Sequence, residues 1–435
     1  MERDLMARLF EWKDSPRRKP LILNGARQVG KTWLLKEFGR RYFANVAYVS
    51  LDNNATARSL FEPDFDLKRI AASLGLLLDV DVSPDSTLII LDEIQTCPRA
   101  ITSLKYFCED APQYAVAAAG SLLGISASGG SGFPVGKVNM LDLYPLTFQE
   151  FLRATGNGRF ADLVSSGDES LMGPFGQKLA DLLKQYYVVG GMPEAVEAFA
   201  AAEGGDLLAA RQVQEEILGG YARDFAKHIP ARLLPRTMLV WESIPGHLSR
   251  ENKKFVFGQV RAGARASDFD ECLAWLEGAG LVHRVHRVAK PGMPLSAYDD
   301  GKSFKVFLVD VGLLGAMSGL DPRAVLEGNG VFTEFKGALT EQYVCQELVG
   351  ACGAEPFYWS AENSSGEVDF IVQREGKVYP IEVKAEENLR AKSLRAFCDR
   401  YEGMKARRLS LSGFRDQGWM RNVPLWAVGS TCNWA

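Results

Sequence analysis

Two groups of residues in this 435-residue chain have the types and spacing to handle phosphate. The first is Gly25, Ala26, Arg27, Gln28, Val29, Gly30, Lys31 and Thr32, which fits the phosphate-binding pattern G-x-x-x-x-G-K-[ST]. Glycines let such a loop wrap an anion with its backbone N–H groups turned inward, and the positive end of the next helix adds to the field. Lys31 is expected to bridge the β- and γ-phosphates, and the Thr32 hydroxyl to take a position on a magnesium ion. Further along, Leu88-Ile89-Ile90-Leu91 runs into Asp92 and Glu93. Four apolar residues in a row suit a strand buried on both faces, with the acids emerging at its C-terminal end, where ligands bind. Asp92 is expected to hold the magnesium, directly or through water, and Glu93 to polarise the attacking water. The run Tyr114–Gly120 then delivers Ser121, either to the γ-phosphate and water or as a helix N-cap. The chemistry predicted is Mg2+-dependent ATP hydrolysis, with Glu93, Lys31 and Ser121 as the catalytic set.

The second group lies between Glu367 and Lys384. The segment reads as a hairpin turning at Glu375-Gly376. That turn places Asp369 opposite Glu382, and Glu367 opposite Lys384. Residues two apart share a face, so these four converge on one side, with Val368, Phe370, Ile381 and Val383 on the other. Two opposed carboxylates with a lysine beside them can hold a divalent metal and position water for attack on a phosphodiester. The same pattern also describes a solvated face with two cross-strand ion pairs.

The elements that must position these residues fall into three blocks. Over residues 1–151, apolar runs (LILNG, VAYVSLD, TLIILDE, YAVAAAGS) alternate with helical stretches, predicting a parallel sheet covered on both faces. Over 152–300 helices dominate; three of them followed by the strand VHRVHRV and the turn KPGMP resemble a winged helix. Residues 301–435 mix strands with a long helix, TEFKGALTEQYVCQELVG. The balance of 47% apolar and 24% charged residues is that of a globular protein with real cores, and the net charge of −4 exerts no global pull on nucleic acid or anionic membrane. A local basic run, Ser249–Ala266, is the better nucleic-acid contact, because the adjoining helix carries Asp268, Asp270, Glu271 and Glu277 and repels phosphate. Seven scattered cysteines and four histidines lack metal-ligand spacing, the charged N-terminus has no leader-like apolar stretch, and no apolar run approaches the ~20 residues of a membrane span. A reducing, cytoplasmic setting and no membrane partner are expected.

The runs GARQVGKT, LIILDEIQ, LYPLTFQEFL, GGMPEAV, YARDFAKH, FKVFLVDVGLL and EVDF…PIEVKA resemble, in order, the prokaryotic AAA-type ATP-binding proteins (AAA+ superfamily predicted ATPases) that carry a C-terminal domain of unknown function. The resemblance implies an α/β chain with an ASCE-type P-loop NTPase core, a winged-helix segment and a C-terminal α/β domain similar to PD-(D/E)xK nucleases. On that resemblance Asp369, Glu382 and Lys384 take metal-binding and catalytic positions, and Glu341 is the helical acid of the fold; Val368 stands where proline often precedes the aspartate. The expected function is an ATPase that couples nucleotide state to a nuclease-like module acting on DNA or RNA. The alternative is a nucleotide-regulated protein-interaction switch with a non-catalytic C-terminal domain. The arginine that neutralises transition-state charge comes from Arg153, from another arginine of the helical block, or in trans from another protein or a second copy of the chain.

Overall fold

The protein is described by a computed structural model covering residues 1–120, 133–327, 333–361, 366–385 and 391–432. It forms two compact units, Glu2–Tyr144 with Gly278–Gly280, and Pro145–Glu277 with Leu281–Ala435.

In the first unit, five strands form one parallel sheet: β1 (Leu21–Asn24), β2 (Asn45–Ser50), β3 (Thr87–Asp92), β4 (Ala115–Ala119) and β5 (Asn139–Asp142), in the order β2-β3-β4-β1-β5. Every residue of β1, β3 and β4 is buried, as continuous apolar runs in a doubly covered sheet must be. The four strands read from the sequence are β1 to β4. β5 escaped that reading because Asn-Met-Leu-Asp alternates in burial and has no apolar run. Ile22, Val49, Ile89, Leu91 and Val116 pack with Phe61, Ile70, Leu104 and Phe107 in one core. Since the strands are parallel, the residues following β1 and those following β3 leave the sheet at the same edge, with β4 between them.

The second unit begins with helices, from Phe148–Ala154 to Leu234–Leu248, and continues into an eight-stranded sheet. Its strands are β6 (Val282–Val288), β7 (Asp299–Leu308), β8 (Phe357–Ser360), β9 (Glu367–Arg374), β10 (Lys377–Val383), β11 (Ala406–Ser410), β12 (Arg415–Asp416) and β13 (Met420–Pro424), in the order β12-β13-β11-β10-β9-β8-β6-β7. The helices Leu234–Leu248, Phe257–Val260 and Asp270–Gly278 precede the β6–β7 pair. That pair belongs to the large sheet, because β6 also runs parallel to β8.

Three motif runs that are far apart in sequence meet here. Gly191 N donates to Asp310 Oδ2 at 2.6 Å, and Leu146 N donates to Gly191 O at 2.7 Å. A Cβ on Gly190 (φ +69°) would lie 2.2 Å from Asp310 Oδ1, and one on Gly191 2.2 Å from Leu146 O. Both glycines are therefore required by close approach. Burial pushes the Asp310 carboxyl up to about 6, against the N–H donors of Gly191 and Leu313.

Cys352 and Cys432, 80 residues apart, form a disulfide that no spacing in the sequence announces. Among the described residues no helix is long and apolar enough to cross a membrane.

Candidate functional site

The loop after β1 is built on three unusual backbone conformations: Gly25 at φ +148°, Gln28 at +65° and Gly30 at +92°. A Cβ on Gly25 would come within 2.3 Å of Leu143 O, so no other residue fits that crossing. Gly30 ends the loop as the left-handed N-cap of the helix Lys31–Tyr42. Ala26 and Val29 point into the core and anchor the loop, while Arg27 is part-exposed. Arg3, which sequence reasoning missed, braces the loop: its guanidinium donates to Val29 O at 3.0 Å and to Tyr144 O at 2.6 Å.

Lys31 Nζ donates to Gly25 O and Ala26 O, each at 2.8 Å, so the ammonium closes over its own loop. Burial lowers its pKa to about 8, opposed by the charges of Glu93 and Asp92. The Thr32 hydroxyl donates to Asp92 Oδ2 at 2.8 Å. Tyr48 of β2 donates to the same oxygen at 3.0 Å, and Glu93 N donates to Asp92 Oδ1 at 3.1 Å. The Lys36 ammonium lies 3.4 Å from the centre of the Tyr48 ring. Burial, then Asp92, pushes the Tyr48 phenol up to about 12, so it remains a donor at neutral pH. Tyr48 was legible in principle: Ser50 pairs with Asp92 in register, which puts Tyr48 diagonal to Asp92 on one face. Glu93 stands at φ +51°, and its Oε2 accepts from Gln95 Nε2 at 2.5 Å. Ser121 lies outside the described residues.

The donor set fits a magnesium-bound triphosphate. The Lys31 ammonium lies against the glycine-flanked loop, where it can turn to an anion, and the Thr32 hydroxyl lies within hydrogen-bond reach of the Asp92 carboxylate, as a shared hard cation requires.

On the C-terminal sheet, β9 and β10 pair from Arg374–Lys377 to Phe370–Ile381, the register predicted from a turn at Glu375-Gly376, both of which take positive φ (+48° and +71°). Asp369 Oδ2 accepts from Val383 N at 2.7 Å, and Lys384 Nζ lies 2.6 Å from Glu382. The ion pairs differ from those expected. Glu367 pairs with Lys305 of β7 at 2.5 Å, not with Lys384. The β9–β10 ladder ends at Phe370–Ile381, and Glu367 pairs with Ser360 of β8 along the other edge. Lys305, wholly buried, is also 3.6 Å from Glu341, which Lys253 approaches to 2.8 Å. Burial works against the Lys305 ammonium, but Glu341, Glu367 and Asp369 outweigh it and hold it protonated. Asp369 is pushed up to about 7 by burial and then by Glu341. Glu341 Oε2 and Glu382 Oε2 are buried without a hydrogen-bond partner among the described residues. Even so, no group of three or more His, Cys, Asp or Glu among those residues can hold a metal ion. Lysines stand against Glu341, Glu367 and Glu382, beside the place expected for a divalent ion at Glu341, Asp369 and Glu382.

Arg250, Arg261 and Arg265 of the basic run are exposed. The acidic helix Asp270–Gly278 pairs Glu271 with Arg232 at 3.0 Å and Glu277 with Arg284 at 3.1 Å.

Comparison with known proteins matches residues 17–152 to a family described as an AAA domain. Residues 180–324 and 336–425 match two domains of unknown function, DUF8612 and DUF4143. Uncharacterised proteins of Mycobacterium tuberculosis and Mycobacterium bovis are 31% identical over 83 residues, 19% of this chain. That match spans 18% of their length. Among solved structures, a Walker-type ATPase of Pyrococcus abyssi aligns over 73% of this chain and 95% of its own, at 13% identity and a TM-score of 0.45. Cdc6p of Pyrobaculum aerophilum aligns over 74% and 92%, at 13% identity and a TM-score of 0.28. The Aeropyrum pernix Orc1 protein, solved in complex with DNA, aligns over 72% and 90%, at 17% identity and a TM-score of 0.28. With its loop, sheet order and matched segment together, the N-terminal part of the chain is an AAA-type P-loop domain.

Proposed function

We propose that the chain binds Mg-ATP at the loop Gly25–Thr32 and hydrolyses it. The observation that carries this reading is the convergence of Lys31 and Thr32, which follow β1, with Asp92, which ends β3, and Glu93 directly after it. Magnesium, when bound, supplies charge neutralisation on the phosphate oxygens. Thr32 and Asp92 would hold it, and Tyr48 fixes the Asp92 carboxylate from the neighbouring strand. Lys31 exchanges the carbonyls of Gly25 and Ala26 for phosphate oxygens. Glu93 takes the proton of the attacking water. The test is calorimetric titration with Mg-ATP: wild type binds and Lys31→Ala does not, and undiminished affinity in the variant removes the assignment.

Nucleotide state is passed to the segments 152–300 and 301–435, whose partner is DNA or RNA. The exposed arginines 250, 261 and 265 support that partner. The hairpin register supports a nuclease-like fold for 301–435, while the pairing of Glu341 and Glu367 with Lys305 supports the second reading, a binding platform without cleavage. Incubation of labelled DNA and RNA with the full chain and Mn2+ separates the two: intact strands fit the platform, and products absent from Asp369→Asn fit the nuclease.

A further inference from the structure

Directly after β3 the backbone turns sharply. Glu93 takes φ +51° and ψ +44°, and its carbonyl accepts from both Thr96 N (3.0 Å) and Thr96 Oγ1 (2.8 Å), closing the short helical turn Ile94–Thr96. Ile94 is wholly buried and anchors the turn in the core. The side chains of Glu93 and Gln95, one on each side of that anchor, meet above it through the 2.5 Å bond from Gln95 Nε2 to Glu93 Oε2. Among the described residues no other side chain is bonded to the Glu93 carboxylate, and Gln95 Oε1 is buried with no partner.

This pairing answers a physical problem. Glu93 after β3 and Lys31 after β1 leave the parallel sheet at the same end, so the carboxylate and the ammonium attract one another. A base that swings onto the ammonium is no longer free to accept a proton from water. A neutral amide can restrain the carboxylate by one donor without adding a charge of its own, which a lysine or arginine cannot do. We propose that Gln95 is the positioning residue for Glu93, holding it off Lys31 and toward the water. This inference rests on the ATPase reading above.

The experiment measures kcat against pH, together with the calorimetric Kd for Mg-ATP, for wild type, Gln95→Ala and Gln95→Glu. Gln95→Ala should lower kcat by about 10–100-fold, the size of effect expected when a reacting group is misplaced, with Kd unchanged within about threefold. Gln95→Glu sets a second carboxylate against Glu93, so the acid limb of its kcat profile should move up by about one pH unit or more, with kcat recovering at alkaline pH. Wild-type kcat in Gln95→Ala, an unmoved acid limb in Gln95→Glu, or loss of Mg-ATP affinity in step with kcat each overturns the proposal while leaving the ATPase reading standing. A wild type that binds Mg-ATP without any turnover removes that reading and the positioning role together.

Discussion

Thr32 and Asp92 are 60 residues apart in the chain, and the hydroxyl of one donates to the carboxylate of the other at 2.8 Å. A hydroxyl and a carboxylate held this way can be bridged by a hard cation with little rearrangement. Thr32→Val keeps the side-chain shape and removes the oxygen. It should raise the Mg2+ concentration needed for half-maximal ATP turnover at least tenfold. Tyr48→Phe acts through Asp92 alone and should raise it about tenfold, the lower end for a residue that orients a metal ligand. Magnesium titration of turnover decides this; identical half-saturation in both variants and wild type would detach the pair from the metal.

Lys31, lowered to about 8 by burial, is charged at pH 7 and largely neutral at pH 9. A phosphate anion favours the charged form, so binding takes up a proton once the pH exceeds 8. Affinity for Mg-ATP should hold between pH 6.5 and 7.5, then fall by up to about tenfold per pH unit above 8. Calorimetry in buffers of different ionisation enthalpy reads both the affinity and the proton. No proton uptake at pH 9 would place the ammonium outside the phosphate site.

On the C-terminal sheet, Asp369 is held up to about 7 by burial and by Glu341. A carboxyl that binds its proton more tightly folded than unfolded contributes stability that is present below its unfolded pKa, near 4, and lost as pH rises through 7. Asp369→Asn imitates the neutral form and can still accept from Val383 N. It should be more stable than wild type at pH 8 by about 1–3 kcal/mol, discounted for partial exposure, with the gap closing near pH 4. Denaturant titrations at the two pH values check this. Mn2+ should leave the melting temperature of both proteins unmoved, since Lys305 already supplies the cation; a rise confined to wild type would restore a divalent-ion site.

The parts legible in the sequence are those governed by local pattern. Leu88–Leu91 must be a doubly buried strand whatever surrounds it, and Glu375-Gly376 fixes the register of β9 and β10 through Ile381. Tyr48, Arg3 and Lys305 were missed because each acts across space, and Gln95 because its bond to Glu93 depends on the turn that Glu93 makes at positive φ. Lys253 reaches Glu341 across 88 residues, and Lys305 reaches Glu367 across 62. Arithmetic on one hairpin cannot see a lysine arriving from β7, and it therefore assigned Lys384 to Glu367. The need for glycine at 190 and 191 is hidden for the same reason, since the atoms that forbid a side chain there belong to Asp310 and Leu146.

The central claim is that Glu93, at the end of β3, is the base of a Mg-ATP hydrolysis site formed with Lys31 and Thr32. Glu93→Gln keeps the shape and polarity of the side chain but removes its capacity to accept a proton. The decisive measurement is single-turnover hydrolysis of γ-labelled ATP by wild type and Glu93→Gln, beside the Mg-ATP Kd of each. The account predicts equal Kd within about threefold and a rate lower by about 10²–10⁴-fold in the variant, the contribution of one well-placed acid–base group. Hydrolysis by Glu93→Gln at the wild-type rate would contradict it.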